Sequence, residues 1–180
     1  RVGIYKTGGS DSRWTLRGFG NQVLREYNAT GNAWTILNDY VYRGAQLLAS
    51  QTPTGPQHFH LDHLGTPRAV TGSAGTRIGF HVYYPFGEEA TALQEGQRMK
   101  FTGHERDLSD TAGAGDDLDY MHARFCSPLT GRFLAVDPSG ESIRVAEPQS
   151  WNRLSYVLGN PLKLVDPDGR VVETIWDVAS

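Results

Sequence analysis

Turn-forming residues interrupt the chain between residues 13 and 90 so regularly that the stretch reads as a meander of β-hairpins. Arg13–Phe19 ends at Gly20–Asn21, Gln22–Tyr27 at Asn28–Asn32, and Ala33–Tyr42 at Arg43–Gly44. Ala45–Gln51, Gln57–Asp62, Arg68–Thr71 and Thr76–Tyr84 are closed in the same way by Pro, Gly or Ser. Runs such as Val23-Leu-Arg-Glu-Tyr27 and Ile78-Gly-Phe-His-Val-Tyr-Tyr84 are rich in β-branched and aromatic residues at roughly period two. That pattern suits a pleated strand with one buried face. Gly, Asn and Pro at the breaks supply positive φ or a preset turn. Gly20, Gly44, Gly65 and Gly87 each close an aromatic-x-Gly or aromatic-x-x-Gly ending, at separations of 24, 21 and 22 residues. Such spacing suggests one two-stranded unit per repeat, stacked on its neighbours.

Composition fits this reading. Gly and Pro fill 21 and 9 of the 180 positions, a level that can signal disorder, but 19 aromatic residues need burial. The formal charge of −3 leaves no basic stripe to neutralise phosphates, which argues against a nucleic-acid binder. The lone Cys126 excludes an internal disulfide and a cysteine-based zinc site. No apolar run approaches the ~20 residues of a membrane span. The chain begins at Arg1 without a signal peptide and reads as an internal piece of a longer protein.

Farther along, Ala90–Gln97 reads as briefly helical and Met99–Gly103 as strand. Asp107–Asp117 reads as an acidic exposed loop and Gly140–Ser150 as an insertion, while Val171–Ser180 could begin an apolar helix.

Three groups of residues invite chemical readings. His58, His60, Asp62 and His63 stand within six positions, and alternation could present several of them to a metal. The simpler reading, preferred here, is that Asp62 accepts hydrogen bonds from backbone amides before the Gly65 turn. Cys126 lies four residues after His122, a possible base for a thiol nucleophile. Its preferred reading is a small buried hydrophobe. The third group is a pair of Asp-Pro-x-Gly motifs, Asp137-Pro-Ser-Gly140 and Asp166-Pro-Asp-Gly169, 29 residues apart and each led by an apolar run. A single such motif is a type I or II turn. Two of them could bring Asp137 and Asp166 together, so that one carboxyl stays ionised as base and the other stays protonated as acid. Arg124, thirteen residues before Asp137, could hold one partner ionised or polarise a scissile carbonyl.

The ordered motifs resemble a known family. Phe59-His-Leu-Asp-His-Leu-Gly-Thr-Pro-Arg68 is similar to the YHxDHLGSPR signature of RHS/YD-repeat proteins. Tyr84-Pro-Phe-Gly-Glu88, Phe101-Thr-Gly-His-Glu-Arg-Asp107, the run Leu118 to Pro138 and the run Asn152 to Gly169 follow in that family's order, over about residues 13–170. The resemblance implies an all-β fold in which YD-repeat hairpins (1–90) spiral into a shell. An RHS-associated core with short helices (91–170) plugs the shell, and 171–180 opens the C-terminal toxin junction.

It further implies an encapsulating shell whose core domain is a single-turnover aspartyl autoprotease. The catalytic residues would be Asp137, Asp166 and Arg124, with the cut between Arg170 and Val171. No cofactor and no metal are implied. The implied partners are the chain's own upstream repeats, its own toxin and shell-completing or secretion proteins, in a secreted or cell-surface bacterial setting. The competing reading is a non-catalytic YD-repeat segment of a shell or adhesion protein. Arg170 departs from the family's usual hydrophobic residue, Cys126-Ser-Pro128 from its Tyr-Asp-Pro, and the spacing of 29 is long.

Overall fold

The computed structural model describes residues 3–5, 11–91, 97–107, 117–138, 143, 145–146, 148–170 and 172–174. Eight strands form one sheet in chain order: β1 (Gly3–Tyr5), β2 (Asp11–Arg17), β3 (Val23–Thr30), β4 (Ala33–Arg43), β5 (Gln46–Thr52), β6 (Gly55–Leu61), β7 (Pro67–Gly72) and β8 (Arg77–Phe80). Pairing from β1 to β6 is antiparallel throughout, the hairpin meander expected from the turn residues. Register shifts at Leu16/Arg17, Glu26/Tyr27 and Val41/Tyr42 insert bulges, which raise local twist.

By internal contact the chain divides into two compact units, Arg1–His60 with Val70–Ile78, and Leu61–Ala69 with Gly79–Ser180. In the first unit Val23, Glu26 and Ala29 of β3 are buried, while Leu24, Trp34, Ile36, Val41 and Leu48 are exposed. The fully buried Glu26 carboxylate accepts from Tyr40 Oη and Asn38 Nδ2, both at 2.9 Å. Those two bonds offset part of the cost of burying an acid.

The second unit has a four-stranded antiparallel sheet ordered β12 (Arg132–Phe133), β11 (Arg124–Ser127), β10 (Leu118–Met121), β9 (Glu105–Asp107). A second small pair joins β13 (Leu164–Val165) to β14 (Glu173–Thr174). Its core gathers Leu64, Tyr83, Phe101, Met121, Cys126, Phe133, Tyr156, Val157 and Val165. Arg106 crosses to Asp119 through a bidentate pair at 2.7 and 2.9 Å, and donates to the Gly87 carbonyl at 2.8 Å. Both partners are almost fully buried, so this is an interior ion pair held by charge-assisted hydrogen bonds.

The structure corrects two local expectations. Met99–Gly103 is not a strand: Met99 makes one bridge to Glu105, and Phe101–Gly103 is a 3-10 turn closed by the Gly103 amide on the Lys100 carbonyl. The left-handed backbone of Thr102 and Gly103 makes the reversal. At the tail, Glu173–Thr174 pairs as strand β14 where a helix was expected. Residues 171 and 175–180 of that helix lie outside the described residues, as do 92–96 of the expected Ala90–Gln97 helix, 108–116 of the acidic loop and 140–142, 144 and 147 of the insertion.

Three of the four spaced glycines, Gly44, Gly65 and Gly87, adopt positive φ, and at the fourth the neighbouring Asn21 takes that conformation instead. Gly87 carries a second constraint, because an added Cβ would lie 2.6 Å from Cγ of the buried Phe101 ring. At Gly44 the same Cβ meets nothing within 4 Å. Gly44→Ala is therefore expected to cost only the left-handed backbone penalty, about 1–2 kcal/mol. Gly87→Ala adds a steric penalty of about 1–3 kcal/mol from overpacking against Phe101. Denaturant titration of both variants checks the ranking.

Candidate functional site

The three side chains singled out in the second unit converge at one place. Met121 and Arg124 are register partners, so His122 and Ala123 form the tight turn that delivers Arg124 to the interior. His122 is one of few non-glycine residues at positive φ, which lets that turn close. Asp137 follows β12 and Asp166 follows β13, each leading its Asp-Pro-x-Gly motif. Arg124 Nη2 stands 3.2 Å from Asp137 Oδ2 and 3.3 Å from Asp166 Oδ2. The three residues are 5%, 3% and 1% exposed, so the cluster is buried.

Arg124 faces both carboxylates here, and at Asp166 desolvation favours the protonated form. Burial raises Asp166 to about 6, against the opposing pull of Arg124 and of the Arg170 and Gly169 amides. Burial also lowers the Arg124 pKa, with Asp137 and Asp166 acting to restore it.

Arg124 is held on several sides. Its Nε donates to the Gly169 carbonyl at 2.5 Å and its Nη1 to the Arg153 carbonyl at 3.0 Å. The guanidinium lies 3.5 Å from the centroid of the Phe133 ring, close enough for a desolvated cation–π contact. Arg153 in turn donates from Nη2 to the Asp137 main-chain carbonyl. His104 donates from Nε2 to the Asp166 carbonyl at 3.2 Å, and burial lowers its own pKa to about 4, which keeps it neutral. Phe133, Arg153 and His104 were not singled out as site residues from the sequence. His104 does lie inside the quoted motif Phe101–Asp107, and Phe133 pairs in register with Cys126.

The segment 168–170 is seated in the same cluster. The Asp168 carbonyl accepts from the Ala123 amide at 3.1 Å. The Arg170 amide donates to Asp166 Oδ1 at 2.9 Å and to Asp168 Oδ1 at 3.0 Å. Gly169 has φ +74, and a Cβ there would fall 2.1 Å from the Met121 carbonyl oxygen. Arg170 itself is exposed, and Val171 lies outside the described residues.

The other two groups resolve differently. Asp62 accepts from the Leu64 and Thr66 amides at 2.9 and 3.0 Å and from Arg68 Nε at 2.8 Å, the turn-capping role preferred for it. His60 bonds Thr71 Oγ1 and His63 the Leu162 carbonyl, each at 3.0 Å, while His58 is exposed on β6. Cys126 is 2% exposed in the core, and burial pushes its thiol up to about 12. It is a protonated core residue, not a thiolate nucleophile.

No protein-family model matches the chain. In sequence it is 29% identical over 179 residues to the tRNA3(Ser)-specific nuclease WapA of Bacillus spizizenii, covering 94% of this chain and 7% of that protein. It is 31% identical over 101 residues to toxin subunit YenC2 of Yersinia entomophaga, covering 53% of this chain and 9% of that one. Its fold is that of solved TcdB2-TccC3 structures. The one without the hypervariable C-terminal region gives a TM-score of 0.63 at 20% identity, over 88% of this chain and 8% of the other. The TcdB2-TccC3-Cdc42 structure gives 0.61 at 19% identity, over 99% and 10%. The chain thus spans a tenth or less of the length of these proteins. Together they support an RHS-type, toxin-associated β domain.

The geometry predicts that Asp166 titrates near pH 6 in the folded chain. Because Arg124 holds this pKa down, Arg124→Gln is expected to move it higher still. Carboxyl-carbon NMR of labelled aspartate, read before and after the substitution, checks both directions.

Proposed function

We propose that this chain contains the shell-closing core of an RHS-type toxin and cuts itself after Arg170, freeing a C-terminal toxin inside the shell. One observation carries the reading: a single buried arginine is shared by two buried aspartates, beside the segment 168–170 that leads into the expected cut. In this reading residues 1–90 supply shell hairpins, 91–170 the autoproteolytic plug, and 171–180 the start of the toxin junction. The partners are the chain's own upstream repeats and toxin, with shell-completing or secretion proteins, in a secreted or cell-surface bacterial setting. The toxin names borne by the relatives support this context.

The chemistry follows from the shared arginine and the raised Asp166. Asp137, ion-paired to Arg124, is the base: it takes a proton from water, and the resulting hydroxide adds to the Arg170 carbonyl carbon. Asp166, protonated below about pH 6, is the acid that gives its proton to the departing Val171 nitrogen as the peptide bond breaks. A new carboxyl forms on Arg170 and a new amine on Val171, and one water is consumed. Arg124 pairs with Asp137 and holds the substrate strand through the Gly169 carbonyl. Because substrate and catalyst are one chain, the site turns over once.

Intact mass tests the reading. The full chain is expected to separate after Arg170. Asp137→Asn and Asp166→Asn are each expected to slow separation at least about a hundredfold, the usual contribution of a positioned acid or base. A folded parent that stays whole, or an Asp137→Asn variant cut at the parent rate, would contradict it and leave a plug kept for its shape.

A further inference from the structure

The site grips the segment before the cut by its main chain. Arg124 Nε takes the Gly169 carbonyl, Asp166 Oδ1 and Asp168 Oδ1 take the Arg170 amide, and the Ala123 amide takes the Asp168 carbonyl. Position 169 is selected by exclusion: it is buried at φ +74, and a Cβ would sit 2.1 Å from the Met121 carbonyl oxygen and 3.2 Å from the Arg124 amide nitrogen. Both atoms are backbone of the β10–β11 hairpin, which cannot swing away as a side chain could. Position 170 is the reverse case. Its amide is doubly bonded while the residue as a whole is exposed. A pocket that recognised this side chain would bury it, because discrimination comes from desolvated contact.

The geometry points to a site that reads its substrate by backbone, with glycine required at 169 and the side chain at 170 left unread. This inference rests on the autoprotease reading above and specifies what that site accepts as substrate. It gives a physical reason why Arg170 can stand where the resembling family carries a hydrophobic residue: the guanidinium stays in water and no charge is buried. The same logic makes the Arg170 amide, not its side chain, the feature that residue contributes. Proline at 170 removes that one donor.

The test uses the full chain, pulse-labelled during cell-free synthesis, with cleavage followed by mass. Arg170→Ala, Arg170→Leu and Arg170→Glu are expected to cut within about threefold of the parent rate, well inside the tenfold or more that a recognising pocket gives up on losing its group. Arg170→Pro and Gly169→Ala are expected to lose about a hundredfold or more, as misplacing a reacting segment by an ångström does. Denaturation midpoints near the parent value for Arg170→Pro separate loss of register from loss of fold. A tenfold or greater drop in any of the Ala, Leu or Glu variants, or parent-like cutting by Gly169→Ala, would overturn the inference while leaving the autoprotease intact. A parent that does not cut at all would instead overturn the underlying reading, and the inference with it.

Discussion

The Arg124 guanidinium placed between two buried carboxylates is the constraint on which the rest of the second unit depends. Arg124 is ion-paired to both Asp137 and Asp166, and removing it would break two buried pairs, which costs about 3–5 kcal/mol. The surrounding fold is arranged to prevent this. The β10–β11 hairpin turns at His122–Ala123 to aim Arg124 inward, Phe133 lies under its guanidinium, and the Arg153 carbonyl takes a third donor. His104 and Arg153 then anchor the backbones of the two aspartates themselves.

The same constraint acts on Asp166. Asp166 meets two backbone amides as well as Arg124, yet burial still holds its pKa near 6, so it keeps a proton in mildly acidic solution. In aspartic chemistry generally, two acids with separated affinities for one proton are what permits attack and departure to be catalysed together. The carbonyl at 169 and the amide at 170 lie at the ends of one peptide unit, and both are occupied by this cluster. The strand pair β13–β14 brackets the segment, so it is a loop held at both ends and at its middle.

How much of this could be read from the chain depends on whether residue identity carried the information. The hairpin meander was legible because each reversal needs Gly, Asn or Pro, and the structure puts positive φ at Gly44, Gly65 and Gly87. The convergence of Arg124, Asp137 and Asp166 was legible because charged residues in apolar surroundings need partners, and duplicated motifs suggested which. The Met99–Gly103 turn was not, because Thr102 is not a residue type that signals a left-handed backbone. Nor were Arg153 and His104, since their role here is to meet main-chain carbonyls, which every residue presents alike. Phe133 read only as part of the apolar run before Asp137, and its stacking under Arg124 depends on register between β11 and β12. Asp62 was legible for the converse reason: a short acidic side chain just before a Gly turn has nearby amides to cap.

The central claim is that a protonated Asp166 is the acid of self-cleavage, and the pH dependence of that cleavage tests it most directly. The account predicts a rate that falls about tenfold per pH unit above roughly pH 6, as the acid form of Asp166 is titrated away. A rate that instead climbs steadily through pH 8, as attack by hydroxide or by the Cys126 thiolate would give, would contradict it.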